Sequence, residues 1–304
     1  MKQYFVLDMG GTFVKYALMN ENKEILEQGK LPSVLSDMDS FLASLDEHIK
    51  PFLGRFEGIA VSMPGRIDTA NGIAYNGGAF VFFVDSPFEK ILEERYGVPA
   101  TIANDGKCAA EAEATSGALK DVGSGAVVII GTGIGGGIVL DHKVWMGSQD
   151  AAGEFSYLIS DYERFIHSSF TDFSSFRCAW TAGSSTTALI REYAARKQKD
   201  PSEFDGVKFF EAYDEGDPDA AATLEHFGQY TASGIFAIQA VLDLERIAIG
   251  GGISARKEVT DVIRDSLEKK FDMPFIPFRK PEVVRCVYGS DANLIGALEF
   301  HLNR

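Results

Sequence analysis

Twice in this chain a short apolar run breaks into glycines and resumes at once as a second apolar run. The N-terminal instance is LDMGGTFVKYAL, residues 7–18, and the central one is IIGTGIGGGIVL, residues 129–140. Apolar, β-branched runs of this length read as buried strands, so each instance reads as strand, glycine turn, returning strand. In residues 131–137 five positions are glycine, and a backbone so stripped of Cβ atoms lets another group come close. Gly131, Gly133 and Gly136 satisfy the letters G-x-G-x-x-G. That fingerprint, however, requires a helix to open directly after the glycines. Here Ile138-Val139-Leu140 leads into Asp141-His142-Lys143 and then Val144-Trp145, which is strand, turn, strand. No Gly-Lys-Ser/Thr follows either, so the Walker phosphate loop is absent.

The remaining segments mix strands and helices in both halves, the pattern of an α/β protein. Residues 58–62 and 100–103 read as strands. Ser36 or Asp37 can cap a helix carrying Phe41, Leu42, Leu45 and Ile49 at helical spacing. Pro87 and Gly97 bracket another helix. A helix is expected from Gly106 to about Gly117, with Asp105 placed to cap it. Later helices are expected over 184–197, over 218–242 with interruptions, and over 256–271. A further strand, 246–249, runs into Gly250-Gly251-Gly252.

A formal charge of −15 on 304 residues opposes a nucleic-acid partner, whose phosphates require a basic face. It leaves room for ATP held with Mg²⁺ at a local site. The N-terminus carries Asp8 and no cleavable apolar region, and the most apolar stretch, 125–140, is too short for a membrane span. Cys108, Cys178 and Cys286 are scattered, odd in number and without a C-x-x-C pair. They read as reduced thiols of a cytoplasmic protein.

Seven motifs occur in order: DMGGT (8–12), SMPGRID (62–68), YNGGAF (75–80), ANDGKCAA (103–110), GTGIGGG (131–137), AAGEFSYL (151–158) and AIGGGIS (248–254). Together they resemble the ROK family of sugar kinases and sugar-responsive repressors, over nearly the whole chain. The resemblance implies a two-lobed actin-like ATPase (ribonuclease H-like) α/β fold with a cleft between lobes. The lobes would be residues 1–116 plus 289–304 and residues 117–288. It further implies ATP and Mg²⁺ as cofactors, a small-molecule sugar as substrate, and the homodimer common among family members.

Successive backbone N–H groups in a glycine turn form a concave nest for oxygen anions. Gly10, Gly11 and Thr12 are expected to supply such donors in the first hairpin, and Gly131, Thr132 and Gly133 in the second. Asp8 repels a phosphate unless Mg²⁺ sits between them. Lys15 lies along the returning strand within reach of a phosphate. The resemblance places the catalytic carboxylate on Asp105, which would orient a sugar hydroxyl and accept its proton. It places Asn76, Asn104, Asp105, Glu154 and Tyr157 on the sugar, and Gly250, Gly251 and Gly252 against adenosine.

The sequence also departs from the family. Gly77-Gly78-Ala79-Phe80 stands where Leu-Pro-Gly-Trp is common, Tyr157 replaces a histidine, and Trp180 lies near the place of a missing glutamate. Of the usual zinc-binding residues only Cys178 survives, with His167 distant, which is too few for a four-coordinate site. No structural zinc is expected. The departures resemble the zinc-less branch that includes β-glucoside kinases, with Tyr157 and Trp180 as aromatic walls and Phe80, Phe82 and Phe83 as core or wall. The expected activity is phosphorylation of a primary hydroxyl, the 6-OH of a hexose or β-glucoside, as in a glucokinase. An N-acetylhexosamine kinase and an inactive sugar sensor are the alternatives. A repressor is disfavoured because Asp8 lies too near the start for a preceding DNA-binding domain.

Overall fold

The computed structural model describes residues 1–169 and 176–304. In chain order come strands β1 (Gln3–Met9), β2 (Phe13–Asn20) and β3 (Ile25–Pro32), helix α1 (Met38–Ile49), strands β4 (Ile59–Met63), β5 (Ile67–Asp68), β6 (Ile73–Asn76) and β7 (Val84–Ser86), helix α2 (Phe88–Tyr96), β8 (Ala100–Asn104) and α3 (Asp105–Thr115). There follow β9 (Ser124–Ile130), β10 (Ile134–Leu140), β11 (Lys143–Trp145), α4 (Tyr162–His167), α5 (Thr181–Ser184), α6 (Thr186–Lys197), α7 (Gly206–Asp214), α8 (Pro218–Leu242), β12 (Arg246–Gly250), α9 (Lys257–Phe271), β13 (Glu282–Arg285) and α10 (Ala292–Leu302).

The chain forms two compact units. The first comprises Met1–Lys120, Gly137–Ala152 and Ser290–Arg304, and the second comprises Asp121–Gly136 and Gly153–Gly289. Residues 137–152 thus belong with the first unit.

Each glycine hairpin opens a five-stranded sheet. One runs β3-β2-β1-β4-β8 and the other β11-β10-β9-β12-β13. In the first, β1 pairs antiparallel with β2 and parallel with β4, putting Asp8 opposite both Lys15 and Ser62. The buried strands carry the continuous apolar runs expected of sheets covered on both faces. Phe5, Val6, Leu7 and Val14 are fully buried, as are Ala126, Val127 and Val128 in the second sheet.

Local signals explain most element boundaries. Asp37 caps α1 by accepting the Ser40 N–H at 2.8 Å, and Phe41, Leu42, Leu45 and Ile49 face inward. Gly97 ends α2 in the left-handed region at φ 71°. Asp141 and His142, both at positive φ, turn β10 into β11. Helix α8 runs unbroken for 25 residues, not interrupted as expected. Its Gly228 and Gly234 do not break it because they sit under Val262 and Trp180, where a Cβ would collide with those side chains. Tertiary contact outweighs the helix propensity cost of about 1 kcal/mol per glycine. Phe80, Phe82 and Phe83 lie in consecutive turns, so strand alternation does not apply to them. Phe80 and Phe83 are buried with Phe41, and Phe82 packs at the edge of the same cluster.

Candidate active site

In the first unit the candidate residues fall into two hydrogen-bonded groups, one around Asp8 and one around Asn104. Asp8, only 8% exposed, accepts from the Asn293 side-chain amide at 2.9 Å and from the Ser62 hydroxyl at 3.2 Å, both on Oδ1. Its Oδ2 faces the Lys15 ammonium at 3.7 Å. Lys15 also donates to the Ser290 carbonyl at 3.1 Å, so its ammonium is anchored within the unit while still partly exposed. Neither Ser62 nor Asn293 was singled out from the sequence. Asn293 lies far along the chain with no motif around it, whereas Ser62 was readable as the β4 position next to the Pro-Gly turn.

The hairpin between β1 and β2 is tighter than the donor count anticipated. The Gly10 N–H closes the turn onto the Phe13 carbonyl at 3.1 Å, which withdraws it from the donors expected for a phosphate. The N–H groups of Gly11 and Thr12 engage no acceptor among the described residues. Ala79 lies directly against Gly11, where an added Cβ would stand 3.4 Å from the Ala79 Cβ.

The Asn-Asp step at the end of β8 differs from expectation in one respect. Asn104, not Asp105, caps α3: its Oδ1 accepts the Lys107 N–H at 3.1 Å. The same side chain donates from Nδ2 to the Gly65 carbonyl at 2.9 Å. Asp105 occupies the first helical position, half-buried, and accepts its neighbour Gly106's N–H at 2.8 Å. Asparagine wins the cap because its oxygen lies at the extended position before the first turn, while its amide satisfies a second backbone group. Gly65, at φ 100°, abuts Asn76, whose side-chain oxygen accepts the Arg66 N–H at 3.2 Å. Asn76, Asn104 and Asp105 are therefore held together through the turn at Pro64-Gly65, and Asn76 is exposed.

Strand β10 approaches α3 on a glycine. A Cβ on Gly137 would stand 2.6 Å from the Ala110 Cβ and 3.1 Å from the Gly106 carbonyl oxygen. Gly136 likewise fits under the Phe155 ring, at 2.6 Å for an added Cβ. The last two glycines of the central run thus serve packing rather than a ligand. The earlier ones differ. Gly131 meets nothing closer than 3.8 Å, and its N–H closes the turn on Gly133. The Thr132 N–H engages no acceptor among the described residues.

In the second unit Gly131 and Thr132 line a cavity of about 1050 Å³ together with Thr186, Phe210, Gly252 and Arg256. Its size lies at the upper end for small-molecule sites. The Arg256 guanidinium sits 4.8 Å from the Phe210 ring centroid and is forked onto Asp214 at 2.8 and 2.6 Å. Of the late glycine run only Gly252 faces this space. Gly250 packs beneath Ile129 and Cys286, and Gly251, at φ 94°, lies against the Ile130 backbone. The cavity-lining residues on α6 and α7 carry no motif, and the sequence reading missed them.

Glu154 is exposed and precedes a short 3₁₀ turn, 155–157, which places Tyr157 one turn on. Tyr157 is 59% exposed and meets the Phe176 ring edge-on at 5.4 Å. Trp180 does not wall a pocket as expected. It is fully buried, donates from Nε1 to the Tyr230 carbonyl at 3.3 Å, and is covered by Gly234 and Phe155. Cys178 is buried and His167 is exposed on α4 beside Glu163. Among the described residues no three His, Cys, Asp or Glu side chains are grouped to hold a metal. No helix among them is long and apolar enough to cross a membrane.

Comparison with known proteins matches the ROK family over residues 4–303. The β-glucoside kinase of Listeria innocua is 30% identical, covering 96% of this chain and 94% of its own. The N-acetyl-D-glucosamine kinase of Vibrio atlanticus is 26% identical, covering 97% of this chain and 98% of its own. Among solved structures, a ROK family glucokinase from Streptomyces griseus, in complex with glucose and AMPPNP, superposes with a TM-score of 0.82. At 21% identity, over 98% of both chains, that likeness speaks to the fold, which is the actin-like ATPase fold. By its match from end to end and its ordered motifs, this chain belongs to the ROK family.

Proposed function

We propose that this protein is an ATP-dependent sugar kinase, moving the γ-phosphate to a primary hydroxyl, the 6-OH, of a hexose or β-glucoside. The observation that carries the mechanism is the arrangement at β8–α3: Asn104 caps the helix, and Asp105 stands half-buried at its first position, beside the turn that holds Asn76. A carboxylate within reach of the sugar hydroxyl orients it for attack and takes its proton as the phosphorus–oxygen bond forms. A helix N-terminus favours negative charge at this position, and a loose transition state needs only a weak base.

Gly11, Thr12 and Thr132 are assigned to the phosphates through their N–H groups, with Lys15 as a nearby cation. Gly252 and the 1050 Å³ cavity are assigned to the nucleoside. Asn76, Asn104 and Glu154 are assigned to sugar hydroxyls, with Tyr157 as an aromatic wall. Asp8 fits a Mg²⁺ site of the kind that combines one carboxylate with water and phosphate oxygens. Its carboxylate is buried and pre-oriented by Ser62 and Asn293, and a lysine ammonium stands 3.7 Å from it. Bound there, Mg²⁺ would neutralise charge on the transferring phosphoryl group. The relative that phosphorylates N-acetylglucosamine supports an N-acetylhexosamine as the second reading.

The test is ADP release with Mg-ATP across glucose, N-acetylglucosamine, N-acetylmannosamine, cellobiose and an aryl β-glucoside, beside Asp105→Ala. Turnover on one sugar, reduced about 10²–10⁴-fold in a folded variant, is expected. Undiminished turnover in the variant would remove Asp105 from the chemistry.

A further inference from the structure

We propose that the second unit carries an anion site, distinct from the nucleotide cavity, that takes the phosphate group of a phosphorylated monosaccharide. The site is a cavity of about 270 Å³ where Arg164 of α4, Arg177, Arg191 of α6 and His226 of α8 converge. These residues come from four separate stretches of a chain with 44 acidic and only 29 basic side chains. In such a chain arginines are ordinarily claimed by carboxylates. Arg246 is held by Asp121 and Glu282, and Arg256 by Asp214 and Glu258, all at 2.5–3.1 Å.

The arginines of this cavity are not so claimed. Arg177 makes no hydrogen bond or ion pair among the described residues, and Arg164 meets Asp161 only at 3.7 Å. Arg191 spends one N–H on the Ala182 carbonyl at 2.5 Å, out of the five its guanidinium offers. The one carboxylate among the described lining residues, Glu192, is already engaged, by Arg196 at 2.8 Å and by His226 Nδ1 at 2.7 Å. Among the described residues, three guanidinium groups face this space with a single, occupied carboxylate, which favours a dianion that guanidinium forks bind in bidentate fashion. The volume lies just under the usual range for small-molecule pockets. It admits a phosphorylated monosaccharide and is too small for a nucleotide.

Arg191 lines this cavity and the 1050 Å³ cavity as well. An anion that draws Arg191 toward α4 takes positive charge from the nucleotide side, so occupancy should weaken nucleotide binding, and nucleotide should weaken the anion by the same factor. Only this coupling rests on the sugar kinase reading. The binding itself requires no turnover.

The experiment is calorimetric titration of the full chain with glucose 6-phosphate and, separately, with inorganic phosphate. Saturable one-to-one binding is expected, weakened tenfold or more in Arg164→Gln/Arg177→Gln with an unchanged melting temperature. Tighter binding of glucose 6-phosphate identifies a phosphosugar as the source, and equal binding identifies free phosphate. Repeating the titration at increasing AMPPNP should weaken binding to a plateau. Weakening that grows without limit means both probes occupy the nucleotide site, and overturns the proposal. Absence of saturable binding, or binding retained in the double variant, overturns it equally. No effect of AMPPNP removes the coupling through Arg191.

Discussion

Replacing Gly137 with alanine tests whether the central glycine run is one device or two. The new Cβ would stand 2.6 Å from the Ala110 Cβ, where ordinary contact begins at 3.4 Å, so β10 and α3 must part by about 0.8 Å. Overpacking of this kind costs about 1–3 kcal/mol, which for units of this size lowers the melting temperature by about 2–4 °C per kcal/mol. The shift falls on the first turn of α3, because the same Cβ meets the Gly106 carbonyl, one residue from Asp105. A displacement near 1 Å at a reacting group costs up to about 10²-fold in rate. Gly137→Ala should therefore lose both stability and kcat, with KM for ATP little changed. Gly131→Ala should do the reverse, since its Cβ finds nothing within 3.8 Å but intrudes on the loop assigned to phosphate. Thermal unfolding monitored by circular dichroism and steady-state ADP release on both variants give the answer. If Gly137→Ala melts and turns over like wild type, the close approach of β10 to α3 does not position Asp105, and the reasoning fails.

Asp8→Asn should raise the Mg²⁺ concentration needed for half-maximal turnover and lower kcat, while guanidinium unfolding moves little, because Asn keeps an Oδ1 that accepts from both Ser62 and Asn293; an unchanged Mg²⁺ dependence would dismiss the metal assignment. Asp217 caps α8 and, held by the Lys197 ammonium and the Tyr193 hydroxyl, has its pKa lowered to about 2. Its stabilising contribution is complete above the unfolded value near 3.8 and is lost as pH falls toward 2. Asp217→Ala should thus cost about 1 kcal/mol in urea unfolding at pH 7 and progressively less between pH 4 and 2, a convergence that a merely steric effect would not show. Trp180→Ala, emptying a fully buried site, should cost about 3–5 kcal/mol without altering which sugars are used, and a changed sugar preference would return Trp180 to the pocket wall.

The hairpins, the helix caps and the motif order were legible in the sequence because each depends on neighbours in the chain. Asp37 and Gly97 act within one turn of helix, and the Asp141-His142 turn is set by two adjacent residues. What could not be read depends on contacts across the chain. That Gly136 and Gly137 face Phe155 and α3, that Gly234 shelters Trp180, and that Asn293 reaches Asp8 are facts of tertiary packing with no local pattern. The Asn104–Asp105 exchange of roles is intermediate. Both residues suit a helix start, and the choice was made by a carbonyl at Gly65, some forty positions earlier.

Helix α10 returns to the first unit after the whole second unit has been laid down, and Gly296 lies on the Cys108 carbonyl with no room for a side chain. Translation at about 5–20 residues per second separates those two positions by roughly 10–40 s. Through that interval the ribosome-bound chain displays an α3 whose partner helix does not yet exist, beside a second unit free to fold first. The first unit to be synthesised is thus the last to be finished. Its uncovered apolar face, rather than the active centre, is where a nascent chain of this design most needs a chaperone.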